Sequence, residues 1–144
     1  MSKVFNCLHV HLVWATSLRV PMLNNEVQMW LWPALAEKAR KLGSQRVVVG
    51  GTADHVHILT EFAATHSIAD FARHLKGASV RVARINGLTD FAWQEGYGAF
   101  AVSRWDLERI EGYIRRQRDH HERSELIHDL ELSPQPVPKG LLDR

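Results

Sequence analysis

The sequence DHVHIL at residues 54–59 places two histidines, His55 and His57, two positions apart in an apolar and β-branched run. Successive side chains of a β-strand point to opposite faces, so we expect both imidazoles on one face of a sheet. Neutral imidazole is a common metal ligand, and two neighbouring imidazoles can bind one ion. The stretch alone leaves two interpretations open. The two histidines are either part of a metal site or ordinary residues on a half-exposed sheet face.

Two other segments show the alternation that is typical of strands. Residues 3–15 have one apolar face and one face that carries a second His-x-His pair, His9 and His11. Residues 46–51 form a short β-branched run that ends in two glycines. This run precedes the strand predicted at 54–62, and we expect the two to pair as a hairpin.

Three helices are predicted from N-capping residues and apolar periodicity, and a fourth strand is predicted at 98–103. The helices run from Asn24 or Asn25 to Leu42, from Ser67 to Ile85, and from Ser103 or Asp106 to about His121. The element order β-α-β-β-α-β-α begins with the split βαβ arrangement. We therefore expect an α+β, ferredoxin-like fold, in which a four-stranded antiparallel sheet carries helices on one face and a C-terminal helix follows. The other sheet face is expected to be partly open.

The bulk composition is that of one ordinary globular domain. The 144 residues are 45% hydrophobic and 24% charged, and their net charge is only +2. We expect one folded domain at 1–123 and a Pro-rich, loosely ordered tail at 124–144. The single cysteine excludes an intramolecular disulfide, and no apolar run approaches the length of a membrane span, so we expect a cytoplasmic protein.

The last predicted helix carries Tyr113 and Gln117 four positions apart, and so on one helix face. One interpretation is a tyrosine at the edge of the core and a solvated glutamine. The other is that Tyr113 is a nucleophile and Gln117 presents its carbonyl oxygen to a metal ion. A tyrosine is a poor nucleophile until its target is polarised, which a cation on a phosphate would achieve.

Basic residues are concentrated in the second and third helices. A solvated helix face and contact with phosphates explain such clusters about equally well. The candidate DNA contacts are Arg73, Lys76, Arg81, Arg115 and Arg116. Trp93 and Tyr97 are expected to close the core, although both could stack on unpaired bases. The sequence has no glycine-rich phosphate loop, so no nucleotide cofactor is expected.

Several short segments resemble one family in order and spacing. They are HLVWAT at 11–16, DHVHIL at 54–59, LKG at 75–77, WQEGYG at 93–98 and YIRRQ at 113–117. Together these segments are similar to signatures of the single-tyrosine HUH transposases of the IS200-like insertion-sequence family. Each segment is weak alone, whereas the His-hydrophobic-His strand combined with Tyr-x-x-x-Gln is specific.

The resemblance implies that residues 1–123 form a HUH transposase catalytic domain and assigns roles to four of its residues. His55, His57 and Gln117 would be the ligands of a divalent metal ion, either Mg²⁺ or Mn²⁺. Tyr113 would attack the scissile phosphate of single-stranded DNA and form a 5′-phosphotyrosine. Arg116 stands where the family often has asparagine, and the chain reads SLRVP at 17–21, where the family often has a basic, aromatic segment. These departures concern DNA contacts more than chemistry.

The resemblance also implies partners, which are single-stranded DNA with a subterminal hairpin and a second copy of the chain. The strand at 98–103 is a plausible edge for joining two sheets. Two other functions are compatible with the sequence. One is a domesticated relative that acts on repeated genomic palindromes, and the other is a non-catalytic ferredoxin-like module that binds nucleic acid. His120 and His121 lie beyond Gln117, and we expect them at the surface or near DNA.

Overall fold

The computed structural model describes residues 8–62 and 65–116 of the chain. Its strands are β1 (His9–Ala15), β2 (Val47–Gly51), β3 (His55–Glu61) and β4 (Gly98–Val102). Its α-helices are α1 (Asn25–Lys41), α2 (Ile68–Ile85) and α3 (Leu107–Arg115). Two short 3₁₀ turns, Ser17–Arg19 and Arg104–Asp106, follow β1 and β4.

The four strands form one antiparallel sheet in the order β2-β3-β1-β4. The predicted hairpin of β2 and β3 is present, and the α+β, ferredoxin-like fold is confirmed. β3 and β1 lie in the centre of the sheet, so the histidines of both strands lie side by side. β2 and β4 are the two edge strands.

The predicted N-caps of α1 and α2 are confirmed. The side chain of Asn24 accepts a hydrogen bond from the backbone of Val27 at 2.9 Å, and Ser67 accepts one from Asp70 at 3.1 Å. These bonds satisfy amide groups that have no partner inside a helix. Pro33 lies inside α1 on its exposed side, and the helix continues through it.

The main core lies between one sheet face and the helices α1 and α2. The alternating residues of β1 and β3 that supply it are Val10, Leu12, Trp14, Val56 and Ile58. Leu31, Leu35, Phe71 and Leu75 cover them from the two helices. Trp93 joins this core and donates a hydrogen bond to Ser79 at 2.8 Å, as expected for a core residue and not for a base-stacking platform.

α3 packs on the opposite sheet face, where it forms a second apolar cluster. That cluster contains Val48, Leu59, Val102, Leu107, Ile110, Tyr113 and Ile114. We expected this face to be partly open, but the helix covers it over β2 and β3. The physical reason is that the apolar stripe of α3 must be buried, and the short turn after β4 places the helix directly over that face.

Several expectations concern residues outside the described part of the chain. They are the first residues of the strand at 3–15, the continuation of the last helix to His121, the roles of Gln117, His120 and His121, and the tail at 124–144. Among the described residues, no helix combines the length and apolarity that a membrane span requires.

Candidate active site

The two histidines of the opening motif lie side by side on the sheet face that α3 covers. The rings of His55 and His57 are 5.1 Å apart between centroids and nearly perpendicular. His57 is fully buried and His55 is 4% exposed. The strand periodicity therefore places the two imidazoles together, as the sequence predicted.

A third histidine holds the ring of His57. Nε2 of His11, in β1, lies 2.7 Å from Nδ1 of His57, and the two rings stack at 5.0 Å. One of the two nitrogens donates and the other accepts. Because Nδ1 of His57 is engaged in this way, a metal ion would be bound by its Nε2.

His55 is oriented by a carboxylate in the same manner. Its Nδ1 lies 2.8 Å from Oδ1 of Asp54 and 2.9 Å from the hydroxyl of Thr52. The hydrogen bond from His55 is the largest reason that the pKa of Asp54 lies below its usual value. The positive charge of Arg19, 3.6 Å from the carboxylate, lowers this pKa further, whereas partial burial opposes the shift.

The donor set around the two imidazoles fits a divalent metal site. Metal-binding histidines usually engage their second ring nitrogen with a carboxylate or another polar group, and both histidines do so here. Within residues 8–62 and 65–116, no group of three or more His, Cys, Asp or Glu side chains is arranged to hold a metal ion. The third predicted ligand, Gln117, lies outside the described residues, so the structure places only two of the three.

Tyr113 lies against His57 of its own chain. Its ring centroid is 6.1 Å from that of His57, and the side chain is 2% exposed within the second apolar cluster. Gly50 of β2 permits this close packing, because a Cβ at that position would collide with the carbonyl oxygen of Ile114. The tyrosine helix and the histidine strand therefore meet.

Glu111 connects α3 to the residue that precedes β2. Its carboxylate accepts hydrogen bonds from Arg46 at 2.7 Å and from Arg115 at 2.9 Å. The hydrogen bonds from Arg115 and then Arg46 hold the pKa of Glu111 below its usual value. This bridge fixes the tyrosine helix along the edge of the sheet.

The structure separates the five candidate DNA contacts. Arg115 and Arg116 are exposed at the end of α3, on the histidine side of the sheet. Arg73 and Arg81 lie on the opposite side, where they line a cavity of about 270 Å³ together with Lys38 and His74. The five residues therefore do not form a single surface.

Lys76 has partners within the fold. Its ammonium group donates to the backbone carbonyls of Gln94, at 2.9 Å, and of Gly96, and it lies 5.5 Å from the ring centroid of Trp14. Burial lowers the pKa of Lys76. Its contacts tie α2 to the loop before β4, so the structure gives this predicted DNA contact an internal role.

Sequence reasoning assigned no role to His11, Thr52 or Asp54. The repeated His-x-His spacing in β1 was a visible signal for His11. Whether His11 can contact His57 depends on the register of β1 against β3, in which His11 pairs with Leu59 and Val13 pairs with His57. Only that pairing places the ring of His11 diagonally beside His57.

The chain is similar to known transposases. The model of the IS200-like transposase family matches residues 3–117. The ISDra2 transposase TnpA of Deinococcus radiodurans is 30% identical over 119 residues, which cover 78% of this chain and 85% of that protein.

Two solved structures share the fold. A crystal structure of a putative transposase from Deinococcus radiodurans R1 has 31% identity and a TM-score of 0.65, and the match covers 81% of this chain and 98% of that one. A REP-associated tyrosine transposase bound to a REP hairpin has 18% identity and a TM-score of 0.59, with coverages of 92% and 82%. The second likeness concerns the fold alone. Since the family model spans most of the sequence, the chain belongs to the family of IS200-like transposases.

Proposed function

We propose that this transposase cleaves and rejoins single-stranded DNA at insertion-sequence ends through a covalent 5′-phosphotyrosine. Membership of the transposase family supports the general activity. The observation that carries the finer proposal is the position of Tyr113, whose ring lies 6.1 Å from His57 on the face that holds both histidines. A nucleophile and two potential ligands of a phosphate-polarising ion thus share one site.

The proposed step is a direct displacement at phosphorus. The phenolic oxygen of Tyr113 attacks the scissile phosphate, and the bond from phosphorus to the 3′ oxygen breaks. The phenol loses its proton, and the departing 3′ oxygen gains one, so the products are a 5′-phosphotyrosine and a free 3′-hydroxyl. Attack of a 3′-hydroxyl on the phosphotyrosine reverses the reaction and rejoins a strand without a nucleotide cofactor.

His55, His57 and Gln117 are the residues that would hold a divalent ion, either Mg²⁺ or Mn²⁺. Bound there, the ion would polarise the phosphate and favour departure of the 3′ oxygen. The ligands are two imidazoles and an amide, a set that suits Mn²⁺ by ligand softness, whereas Mg²⁺ is the more abundant ion. His11 and Asp54 would keep the two imidazoles in the orientation that ligation needs.

Access to the nucleophile requires a movement of α3. Tyr113 is almost fully buried, and a DNA phosphate cannot reach its phenolic oxygen in this packing. Within the residues that the structure describes, α3 spans nine positions, and Glu111 holds it to Arg46 through an ion pair. We propose that binding of DNA displaces this helix from β2 and exposes the tyrosine.

The proposed partners are single-stranded DNA with a subterminal hairpin and a second copy of the chain. β4 is an edge strand, the position expected for joining two sheets. Sedimentation velocity at micromolar concentration tests the homodimer. A monomer at all concentrations, with and without DNA, would contradict it.

The catalytic proposal is tested by trapping the covalent intermediate. The full chain is incubated with Mn²⁺ and single-stranded oligonucleotides that carry the ends of its own element. We expect a denaturant-resistant protein–DNA adduct, and a tryptic peptide that carries the phosphotyrosine at residue 113. Tyr113→Phe should abolish the adduct.

The chain offers a matched control, because its only other tyrosine is Tyr97. Tyr97→Phe should leave the adduct intact. An adduct that persists in Tyr113→Phe would overturn the assignment of the nucleophile. Normal DNA binding without any adduct on cognate ends would favour the non-catalytic module, and adducts confined to scattered genomic palindromes would favour the domesticated relative.

A further inference from the structure

The turn between β1 and α1 holds two consecutive residues in an unusual backbone conformation. Leu18 has a φ of 56° and Arg19 a φ of 53°, and neither is glycine. A Cβ makes this left-handed region unfavourable, and residues without a short polar side chain seldom occupy it. The conformation persists only where the surrounding structure imposes it.

The surrounding hydrogen bonds do impose it. The hydroxyl of the buried Thr16 donates to the carbonyl of Val20 at 2.7 Å, and the amide of Arg19 donates to the carbonyl of Thr16 at 3.0 Å. The amide of Ser17 donates to the carbonyl of Ala92 at 2.9 Å. The turn is therefore held at both ends and is not a loose connection.

This firmly held turn presents an apolar side chain to solvent. Leu18 is 90% exposed, the largest exposed fraction among the large apolar side chains that the structure describes at the surface. An exposed leucine contributes little burial to the fold. The backbone strain at Leu18 is thus not offset by packing of its own side chain.

The turn lies beside the candidate active site. The amide of Thr16 donates to the carbonyl of Asp54 at 2.8 Å, and the guanidinium of Arg19 lies 3.6 Å from the Asp54 carboxylate. The same carboxylate accepts a hydrogen bond from His55. Two short links therefore connect the turn to a predicted metal ligand.

We propose that Leu18 is a wedge that packs against the unpaired bases next to the scissile phosphate, and that Arg19 faces the adjoining DNA backbone. The proposal rests on the proposed DNA-cleaving function. Proteins that bind the minor groove of duplex DNA insert leucine and other apolar side chains between base steps, and the faces of unpaired bases are open to the same kind of contact. The neighbouring arginine favours an anionic partner over an apolar protein surface. Because hydrogen bonds already hold the backbone of the turn, binding does not have to order that backbone.

The first test measures binding of a fluorescent oligothymidylate of roughly 16 nucleotides to the full chain. Leu18→Ala removes the side chain and keeps the backbone conformation. We expect binding to weaken about five- to tenfold, with an unchanged dependence of affinity on salt because no charge is removed. Ile85→Ala is the control, because Ile85 is 77% exposed at the end of α2, and it should leave binding unchanged.

A second variant separates the functional role from a structural one. Leu18→Gly should relieve the backbone strain and raise the melting temperature by about 1–4 °C while it weakens DNA binding as Leu18→Ala does. Leu18→Trp should retain binding, because an indole ring also stacks on bases. A gain in stability with a loss of affinity is the signature of a side chain kept for its ligand.

Two results would overturn the wedge. One is equal DNA binding by Leu18→Ala and the unaltered chain, whether or not the oligomeric state changes, and the other is a loss of binding in Leu18→Trp as large as in Leu18→Ala. Each is distinct from failure of the proposed function, which is the absence of a Tyr113-dependent adduct. If the chain binds oligothymidylate through Leu18 but forms no adduct, the proposed role of Leu18 stands and the proposed cleavage reaction is wrong.

Discussion

At the scale of single residues, the two predicted metal ligands are distinguished from ordinary sheet histidines by the groups that hold them. Asp54 and Thr52 contact His55, and His11 contacts His57. Such partners fix the orientation of an imidazole and the nitrogen it presents. Both side chains are buried and oriented, so the expectation of two histidines on a half-exposed face is wrong, and binding of a metal ion by the pair remains a proposal.

His11→Ala should weaken binding of Mn²⁺ by about 10–100-fold, the usual effect of removing a group that holds a ligand. Isothermal titration calorimetry on the full chain measures this affinity, and circular dichroism checks that the variant is folded. His74→Ala is the control, because His74 lies on α2 beyond the other sheet face. Equal Mn²⁺ affinity of His11→Ala and the unaltered chain would show that His11 does not position His57.

At the scale of elements, the placement of α3 decides whether the site exists. Gly50 allows the backbone at Ile114 to approach β2, and Glu111 joins the helix to Arg46. The apolar residues of α3 then cover Val48 and Leu59. The close backbone contact at Gly50, the ion pair of Glu111 and the apolar packing of α3 on Val48 and Leu59 thus hold Tyr113 near the histidines.

Gly50→Ala should destabilise the fold by about 1–3 kcal/mol, because the added methyl group collides with backbone that cannot move without lifting α3. Urea denaturation measures the free energy of unfolding. Gly77→Ala is a matched control within α2, where a Cβ would meet no atom within 4 Å. Alanine is the better helix former, so this variant should be more stable by about 0.5–1 kcal/mol. Equal effects of the two substitutions would contradict the close approach at Gly50.

The bridge at Glu111 predicts a pH dependence. Because the folded state lowers the pKa of Glu111, the bridge stabilises the fold fully above the ordinary glutamate pKa and is lost as the pH falls through the lower folded value. Glu111→Gln should therefore cost about 0.5–1 kcal/mol at neutral pH, and this difference should shrink below about pH 4.

Urea denaturation of both proteins across that pH range measures the difference. Raised salt should also reduce it, since the pair is partly exposed. A difference that stays constant down to strongly acid pH would show that the carboxylate charge of Glu111 does not hold the helix.

At the scale of the whole molecule, basic side chains are distributed over both layers. The site faces one side of the sheet, and the cavity lined by Arg73 and Arg81 faces the other. The side chain of Lys76 connects α2 to the loop before β4. Within α2, we therefore predict that Arg73 and Arg81 contact phosphates, whereas Lys76 supports the fold.

Arg81→Ala should reduce the slope of log affinity against log salt by about 0.7 for single-stranded DNA, with little effect on stability. Lys76→Ala should leave that slope unchanged and cost about 1–2 kcal/mol of folding free energy, because two carbonyls lose a charged donor. Fluorescence titrations at several salt concentrations and urea denaturation separate the two effects. A reduced salt slope in Lys76→Ala and a loss of stability in Arg81→Ala would show that Lys76 contacts phosphates and Arg81 supports the fold.

The sequence by itself determined the local features of this protein. Alternating apolar residues defined the strands, Asn24 and Ser67 marked the starts of two helices, and the His-x-His spacing placed His55 and His57 on one face. These features depend on interactions between residues close in the chain, namely the strand period of two and the capping bonds of the first helical turn.

Only the tertiary structure decided which distant groups meet. The pairing of β1 with β3 brought His11 to His57, the turn after β4 placed Tyr113 over the same face, and burial gave Lys76 its carbonyl partners. Registers and packing of this kind depend on shape and space across the whole chain, which residue spacing does not encode. The left-handed turn at Leu18 belongs to the same class, because leucine has no preference for that conformation and only the hydrogen bonds around the turn impose it.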